Sequence, residues 1–490
     1  MPVVASFLLG ALSVLSFAPF ELWWLSYFTL AGLFTLLWTT TVKKGFVIGF
    51  SFGLGLYLFG VSWVYISLST YGGMPLWMGS IAVLGFASLL SLFIGAFAGL
   101  VSRFFAARSR ARMFAFAVSW PIFEWMKSWV LTGFPWLDIG YTQAPSWLFA
   151  WAPLGGLYLV SLIVAIVAAC IALAWFSKGK SLFVLLCLVL VSWWLNGLEW
   201  SQATGRPLQV AVVQANVDLE AKWQSANRDA VIGRYSELID DLNQRHSLDL
   251  VVLPETALPL YLSQANESFW NSLKPDGVAL LTGVLEASSL DEADVPQVYN
   301  AATLVCEKKQ QVYRKRHLVP FGEYLPLRFL FDWVLTYLDL PMSDLSAWQG
   351  QQTLECGEQI KIGLSICYED AFSSEYQSNV GDATMLVNIS EDAWFGDSLA
   401  PHQRQQMAQM RARALARPMI RSANSGPSTF IDERGQLLLE TKQFQVQAVS
   451  HSVQPHTGDT LFKRWGIWII YLCFVLIGVL LIYEKRFSSN

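Results

Sequence analysis

The segment IKIGLSICYEDAF, residues 360–372, decides how the rest of the chain is read. An apolar run, Ile360 to Ile366, ends on Cys367, and two carboxylates, Glu369 and Asp370, follow at once. The end of such a strand is where an open α/β sheet presents functional groups. Cys367 is therefore either a small buried hydrophobe, the common fate of a cysteine in an apolar strand, or a nucleophile.

Similar runs recur on both sides: LQVAVVQANV (208–217), LDLVVLPET (248–256), GVALLTGV (277–284), AATLVCE (301–307) and ATMLVNIS (383–390). Continuous apolar strands predict sheets buried on both faces. Helical patterns at 228–244 and 401–416 lie between some of them, so layered α/β architecture is expected over residues 206–460.

Outside that region the composition changes. Charged residues make up only 14% of the chain and hydrophobic ones 54%, against about 25% charged in a soluble protein. The apolar residues concentrate at both ends of the chain. Seven stretches approach the roughly 20 apolar residues of a membrane span: 3–19, 22–40, 45–66, 75–102, 112–130, 150–176 and 181–198. An eighth covers 466–483. The expected division is a seven-span domain over 1–200, a globular domain over 206–460 and a C-terminal helix over 466–483. Glu124 and Lys127 interrupt the fifth stretch and are expected to face a protein interior, the interface or water, because lipid would be costly.

The loops support the count. Lys43 and Lys44 follow the second stretch, Arg103, Arg108, Arg110 and Arg112 the fourth, Lys178 and Lys180 the sixth, and Lys485 and Arg486 the eighth. The loops around FAPFE (17–21) and STYGG (69–73) hold neither Lys nor Arg. Basic residues mark the cytoplasmic side of short loops. Both termini are then expected in the cytoplasm and the globular domain outside. The formal net charge of −4, with no basic stripe, speaks against nucleic acid.

Six cysteines are present, and three of them, Cys306, Cys356 and Cys367, fall in the outer domain. A Cys306–Cys356 disulfide is one pairing open to an oxidising compartment; sequence alone does not fix it. Five histidines without ligand spacing to one another or to cysteine offer no metal set, and no cofactor is expected.

Glu255 ends one apolar strand, Lys315 and His317 follow another in QVYRKRH, and Cys367 ends a third. A thiol attacks as thiolate and needs a base or a nearby cation. Burial raises a carboxylate's pKa toward a useful base, and a lysine stabilises a developing oxyanion. Singly, each has a bland reading: helix cap, solvated basic face, core thiol. Together, at the strand ends of one domain, they form a candidate site, with His317 competing as the base.

At these residues the chain resembles a known family. LPETALP (253–259), YRKRHLVPFGEYLP (313–326) and ICYEDAF (366–372) look like the motifs of the nitrilase superfamily. With LSFAPFELWW (15–24), TGFPWLDIGYTQ (132–143) and NISEDAWFGDSLAPHQ (388–403), nearly the whole chain resembles the apolipoprotein N-acyltransferases. The resemblance implies a four-layer αββα sandwich on a multi-span α-helical membrane domain. It implies Glu255 as general base, Lys315 as oxyanion stabiliser and Cys367 as nucleophile, which would remove His317 from the base's role. Glu323, Tyr368, Glu369 and Trp223 match supporting active-site positions. A phospholipid acyl donor and a diacylglyceryl apolipoprotein acceptor are implied as well. From the topology a bacterial inner membrane with the globular domain in the periplasm is expected, and a monomer is expected although the sequence does not fix the oligomeric state.

Two further expectations come from position. Residues 326–342, with Phe329, Phe331, Trp333 and Tyr337, suit a segment that dips into the lipid interface. The loop holding GFPWLDIGYTQ (133–143) is placed to cover the entrance. Two other functions compete: a membrane-anchored amidase acting on a small soluble substrate, and a transport or lipid-binding scaffold with a degenerate enzyme domain. A requirement for a phospholipid donor separates the first, and full activity of Cys367→Ser would favour the second.

Overall fold

The computed structural model describes residues 1–174, 180–288, 297–307, 309–326, 344–350 and 352–488. All eight apolar stretches are helical. The helices are α1 (Pro2–Ser13), α2 (Leu25–Leu37), α3 (Val42–Gly60), α4 (Leu76–Phe104), α5 (Arg110–Lys127), α6 (Ala152–Leu173), α7 (Lys180–Asn196) and, at the end of the chain, a helix over Trp468–Ser488. Among the described residues four helical segments are long and apolar enough to cross a membrane: Val42–Gly60, Leu76–Phe104, Trp147–Leu173 and Trp468–Arg486. Helices α1 and α2 are shorter than the stretches that predicted them. At 1.5 Å per residue they rise only about 18–20 Å. α1 gives way to a 3-10 turn at Val14–Ser16, from which the chain reaches toward the globular domain.

Small residues set the packing of this part. Gly45, Gly49 and Gly53 place one stripe of α3 directly on α4: a Cβ at Gly49 would sit 2.6 Å from the Ile94 carbonyl oxygen, and one at Gly53 would sit 2.8 Å from Ser91 Cα. This is the small-xxx-small contact by which helices approach where apolar burial supplies no drive. Large apolar side chains face outward. On the C-terminal helix Tyr471, Val475, Val479 and Ile482 are all exposed, an apolar surface suited to lipid.

Among the described residues the globular region has twelve principal strands: β1 (Leu208–Gln214), β2 (Leu250–Val252), β3 (Ala279–Ala287), β4 (Val298–Val305), β5 (Gln310–Arg314), β6 (Leu354–Cys356), β7 (Ile360–Ile366), β8 (Met385–Ser390), β9 (Met419–Ala423), β10 (Thr429–Ile431), β11 (Leu437–Glu440) and β12 (Gln447–Val453). They form two six-stranded sheets, in the orders β12-β1-β2-β3-β4-β5 and β11-β10-β9-β8-β7-β6. Each has a parallel centre, β1-β2-β3 and β7-β8-β9, flanked by antiparallel strands. Alternation along β1 explains the layering. Val210 and Val212 enter the core between the sheets, together with Ile362, Leu364 and Ile366 of β7. Ala211 and Val213 face the other way, against Tyr235 and Ile239 of the helix Arg228–Arg245, here α8. On the outer side of the second sheet lies α9 (Ala400–Leu415). The layers are therefore α, β, β, α.

Cys306, just beyond β4, is bonded to Cys356 at the end of β6, with 6.0 Å between their Cα atoms, and so crosslinks the two sheets. α9 is the joint between the two parts of the molecule. Gln403 donates to the Gly60 carbonyl at 3.1 Å and accepts from the Trp136 indole at 2.6 Å. Gln406 accepts from the Ala18 backbone N–H at 3.0 Å. Arg411 donates to Tyr141 Oη at 2.6 Å. One hydrophobic cluster runs from Leu33 and Phe52 through Trp136 and Tyr158 to Phe372, Met407 and Met410, leaving no solvent layer between membrane part and globular domain along this contact.

Candidate active site

The site is assembled at the ends of three strands. Beyond β2, Glu255 precedes Thr256, whose φ is +44°. The turn lies so close to β3 that a Cβ at Gly283 would come within 2.3 Å of the Thr256 nitrogen; only glycine fits there. Lys315 directly follows the edge strand β5. Cys367 directly follows β7 at φ +51°, a left-handed conformation that turns the chain sharply into a 3-10 turn at Cys367–Ala371.

Lys315 Nζ donates to Glu323 Oε1 at 2.8 Å and to Glu255 Oε1 at 3.2 Å, and it is 1% exposed. Asn300, fully buried on β4, donates through one Nδ2 to Glu255 Oε1 at 2.7 Å and to Glu323 Oε1 at 2.8 Å. The second oxygen of Glu255 accepts the Glu391 backbone N–H at 2.9 Å, and that of Glu323 accepts the Val319 N–H at 2.8 Å. Burial alone would raise the Glu255 carboxyl, but the Lys315 ammonium and the Asn300 hydrogen bond outweigh it and hold the group below the usual carboxylate range. Lys315 moves upward: burial opposes its charge, and Glu255 and Glu323 more than compensate. Burial pushes the Cys367 thiol up to about 12, and the Glu255 charge adds to this against the pull of Arg404 and Lys315. At rest the site holds a neutral thiol, an ionised Glu255 and an ionised Lys315. The expectation that burial would raise the base's pKa is corrected here, since the neighbouring lysine reverses its sign.

The backbone of the Cys367 turn is fixed from below. The Cys367 carbonyl accepts from Arg404 at 2.8 Å and from Asn388 Nδ2 at 3.2 Å. Arg404 also pairs with Asp392, which in turn pairs with Arg421. Glu369 is buried, and its oxygens accept from the backbone N–H groups of Arg316 at 2.6 Å and Ile366 at 2.7 Å and from Tyr313 Oη at 3.0 Å. It ties the loop that carries Lys315 to the turn that carries Cys367, and thus positions both.

Tyr368 points toward the membrane part. Its hydroxyl donates to the Gly133 carbonyl at 3.1 Å, and its ring stacks on Trp136 at 6.3 Å. The loop expected to cover the entrance therefore touches the residue next to Cys367. His317 lies on the Phe372 ring, with 3.6 Å between centroids, and its Nδ1 is 3.1 Å from Glu375. Trp223 is 40% exposed at the end of a short helix. Its neighbour Lys222 is the residue of that stretch that turns inward, to Glu391 at 2.7 Å and Thr256 Oγ1 at 3.2 Å. Phe329, Phe331, Trp333 and Tyr337 lie outside the described residues.

Sequence reasoning missed Asn300, Lys222, Arg404 and Asp392. Asn300 left a signal, an amide in the middle of the apolar strand VYNAATLV. Arg404 left less, since an arginine in a helix normally reads as solvated. Among the described residues no three His, Cys, Asp or Glu side chains are grouped to hold a metal ion.

Comparison with known proteins agrees with both parts of the fold. Residues 9–170 match the apolipoprotein N-acyltransferase N-terminal domain, and residues 209–460 match the carbon-nitrogen hydrolase family. The chain is 37% identical to the apolipoprotein N-acyltransferase of Nitrosomonas europaea, over 98% of this chain and 96% of that one. It is 34% identical to that of Methylococcus capsulatus, with the same coverage. With that of Vibrio parahaemolyticus it shares 33% identity, over 96% of this chain and 94% of the relative. With a site built at three strand ends of a two-sheet domain, and with relatives matching from end to end, the chain belongs to the apolipoprotein N-acyltransferase family.

Proposed function

We propose that this protein moves a fatty acyl chain from a phospholipid to the N-terminal amine of an S-diacylglyceryl-cysteine lipoprotein, through a thioester on Cys367. The observation that carries the reading is the neutral thiol on a strained turn, beside an ionised Glu255–Lys315 pair, with the adjoining Tyr368 bonded to the membrane part. A membrane-docked nucleophile suits an acyl donor that never leaves the bilayer.

In the first half the thiol proton passes to Glu255 as sulfur bonds to the carbonyl carbon of an ester, here the sn-1 ester of phosphatidylethanolamine. The carbonyl oxygen takes the negative charge, held by Lys315 and backbone N–H groups near Cys367. The C–O bond breaks, Glu255 returns its proton to the leaving alkoxide, and a lysophospholipid departs. In the second half the lipoprotein amine attacks the thioester and gives up a proton to Glu255. The C–S bond breaks, and the sulfur recovers that proton.

Glu323 and Asn300 keep Lys315 and Glu255 in register, and Glu369 sets the distance between lysine loop and nucleophile turn. The topology goes with this reading: eight crossings, both termini in the cytoplasm, and the catalytic domain in the periplasm of a bacterial inner membrane, acting as a monomer without a cofactor. The alternation of basic loops supports it, as does the Cys306–Cys356 disulfide, which belongs in an oxidising compartment.

The test is an intact mass of the purified protein after incubation with phosphatidylethanolamine and no acceptor. The expected result is a gain of one acyl chain on Cys367, discharged by a diacylglyceryl-cysteine peptide. An unmodified Cys367 in folded protein, with turnover of small amides instead, would overturn the reading.

A further inference from the structure

The C-terminal end of α9 borders a cavity of about 520 Å³ between the membrane part and the catalytic domain. Trp147, Phe149, Val189 and Trp193 form its membrane walls, and Arg413 and Arg434 its other side. The position is separate from the thiol: Arg404, which holds the Cys367 carbonyl, lies nine residues earlier on α9, about 13 Å along the axis.

Arg413 is 3% exposed. Its described partner is Asn196, whose Oδ1 accepts at 3.3 Å. Its neighbours are better served. Arg404 has Asp392 and Asp370, and Arg411 has Tyr141, Ser373 and two carbonyls. Among the described residues no carboxylate pairs with Arg413. Asp432 accepts the backbone N–H groups of Arg434 and Gln436, and Glu433 lies 3.7 Å from Arg434. Asp432 and Glu433 act on Arg413 only through space, and Arg434 opposes them; a buried guanidinium without a direct ion pair is expensive, and a cavity beside it provides room for an anion.

The surroundings say which anion. Trp193 is 79% and Trp194 60% exposed at the end of α7, and Trp151 donates to Ser192 Oγ at 2.6 Å on the same turn. Tryptophans at a helix end mark the depth of lipid headgroups. A ligand here meets a cation on the protein side and apolar walls on the lipid side.

We propose that this cavity holds one phospholipid that does not react, its phosphodiester against Arg413 and its first acyl carbons against Val189 and Trp193. The inference rests on the membrane placement set out above and is independent of the reaction at Cys367. A lipid so held joins α7 to α9 and completes the seat of the catalytic domain.

The experiment is photo-crosslinking of the full chain in maltoside micelles with a phosphatidylglycerol that carries a diazirine near its glycerol, followed by peptide mapping. Adducts are expected on residues 144–150 or 189–196. They should fall about tenfold or more in Arg413→Gln, as loss of a charge-assisted contact requires, and persist in Arg413→Lys. Arg434→Gln, at an exposed position, should fold normally and lower the yield about threefold, as a weaker rim contact would. Equal labelling by the diazirine analogue of diacylglycerol would overturn phosphate recognition. Labelling abolished by excess inorganic phosphate would overturn the lipid as the occupant. Undiminished labelling in the arginine variants would overturn the site. The thioester at Cys367 lies on a different peptide, so its presence or absence is read separately.

Discussion

Two buried clusters in this molecule have the same composition, one lysine with two carboxylates. In the membrane part Lys127 pairs with Asp138 at 2.6 Å and donates to the Trp136 carbonyl at 2.5 Å, while Glu124 accepts from the Trp120 indole at 2.9 Å and the Ile139 N–H at 2.7 Å. In the catalytic domain Lys315 pairs with Glu323 and Glu255. Both lysines are 1% exposed. The first cluster spends its hydrogen bonds on the backbone of the 136–139 loop and fixes where that loop meets Tyr368 and Gln403. The second borders a thiol held at positive φ. Under the proposed reaction a charge triad is structural or chemical according to its neighbours, and composition alone does not tell the two apart.

The comparison can be broken at its strongest point first. Cys367→Ser should lower acyl transfer by about 10⁴-fold or more, the scale on which a covalent nucleophile is lost, with the melting temperature unchanged; retained transfer would deprive the second cluster of its chemical role. Lys127→Met should do the opposite. It strands Asp138 and should cost about 3–5 kcal/mol of stability, read as thermal unfolding in detergent micelles, and a melting temperature equal to wild type would mean that the first cluster holds nothing. Glu255→Gln keeps the shape of the second cluster but removes the base; acylation of Cys367, followed by intact mass, should slow about 10²-fold.

The two clusters also differ in how they were legible. Glu255, Lys315 and Cys367 could be read because each follows an apolar strand within a recognisable motif. Glu124 and Lys127 could be read only as misfits in a span, expected to avoid lipid, and the structure buries both in protein. Asp138 gave no sign of being Lys127's partner, because the pairing depends on a loop that folds back over α5. The strands read from sequence are those with long apolar runs and the strand end at QVYRKRH, whereas β6 and β9 to β12 are short or polar on one face and passed unseen. Arg404 and Asn300 were invisible as site residues because their meaning comes from sheets packed face to face, which no local pattern encodes.

A smaller effect sharpens the electrostatics of the second cluster. The Cys367 thiol is pushed up to about 12, so thiolate appears only as pH rises toward that value. Alkylation of Cys367 by iodoacetamide should be slow near neutrality and climb steadily through pH 10. A plateau reached below pH 8 would mean a preformed thiolate and would shift the role of Glu255 away from proton acceptor. Smallest of all, Trp136→Phe keeps an aromatic ring against Tyr368 and removes the indole donor to Gln403 together with part of the ring's bulk. It should cost about 1 kcal/mol with acyl transfer nearly intact, and a large loss of transfer would show that the loop does more than seat the domain.

The helix α9 bears on whether the catalytic half is an autonomous unit. A fragment cut free after Gly197 would keep every residue of the triad, yet Gln403 would lose the Gly60 carbonyl, Tyr368 the Gly133 carbonyl and Arg411 the Tyr141 hydroxyl. Phe372, Met407 and Met410 would be bared to water. The same helix would then have to support the Cys367 carbonyl through Arg404 with one side unbuttressed. The globular half is thus no separate body on a tether: the 133–141 loop of the membrane part seats the turn that carries Cys367, and a water-soluble piece is expected to lose that seat.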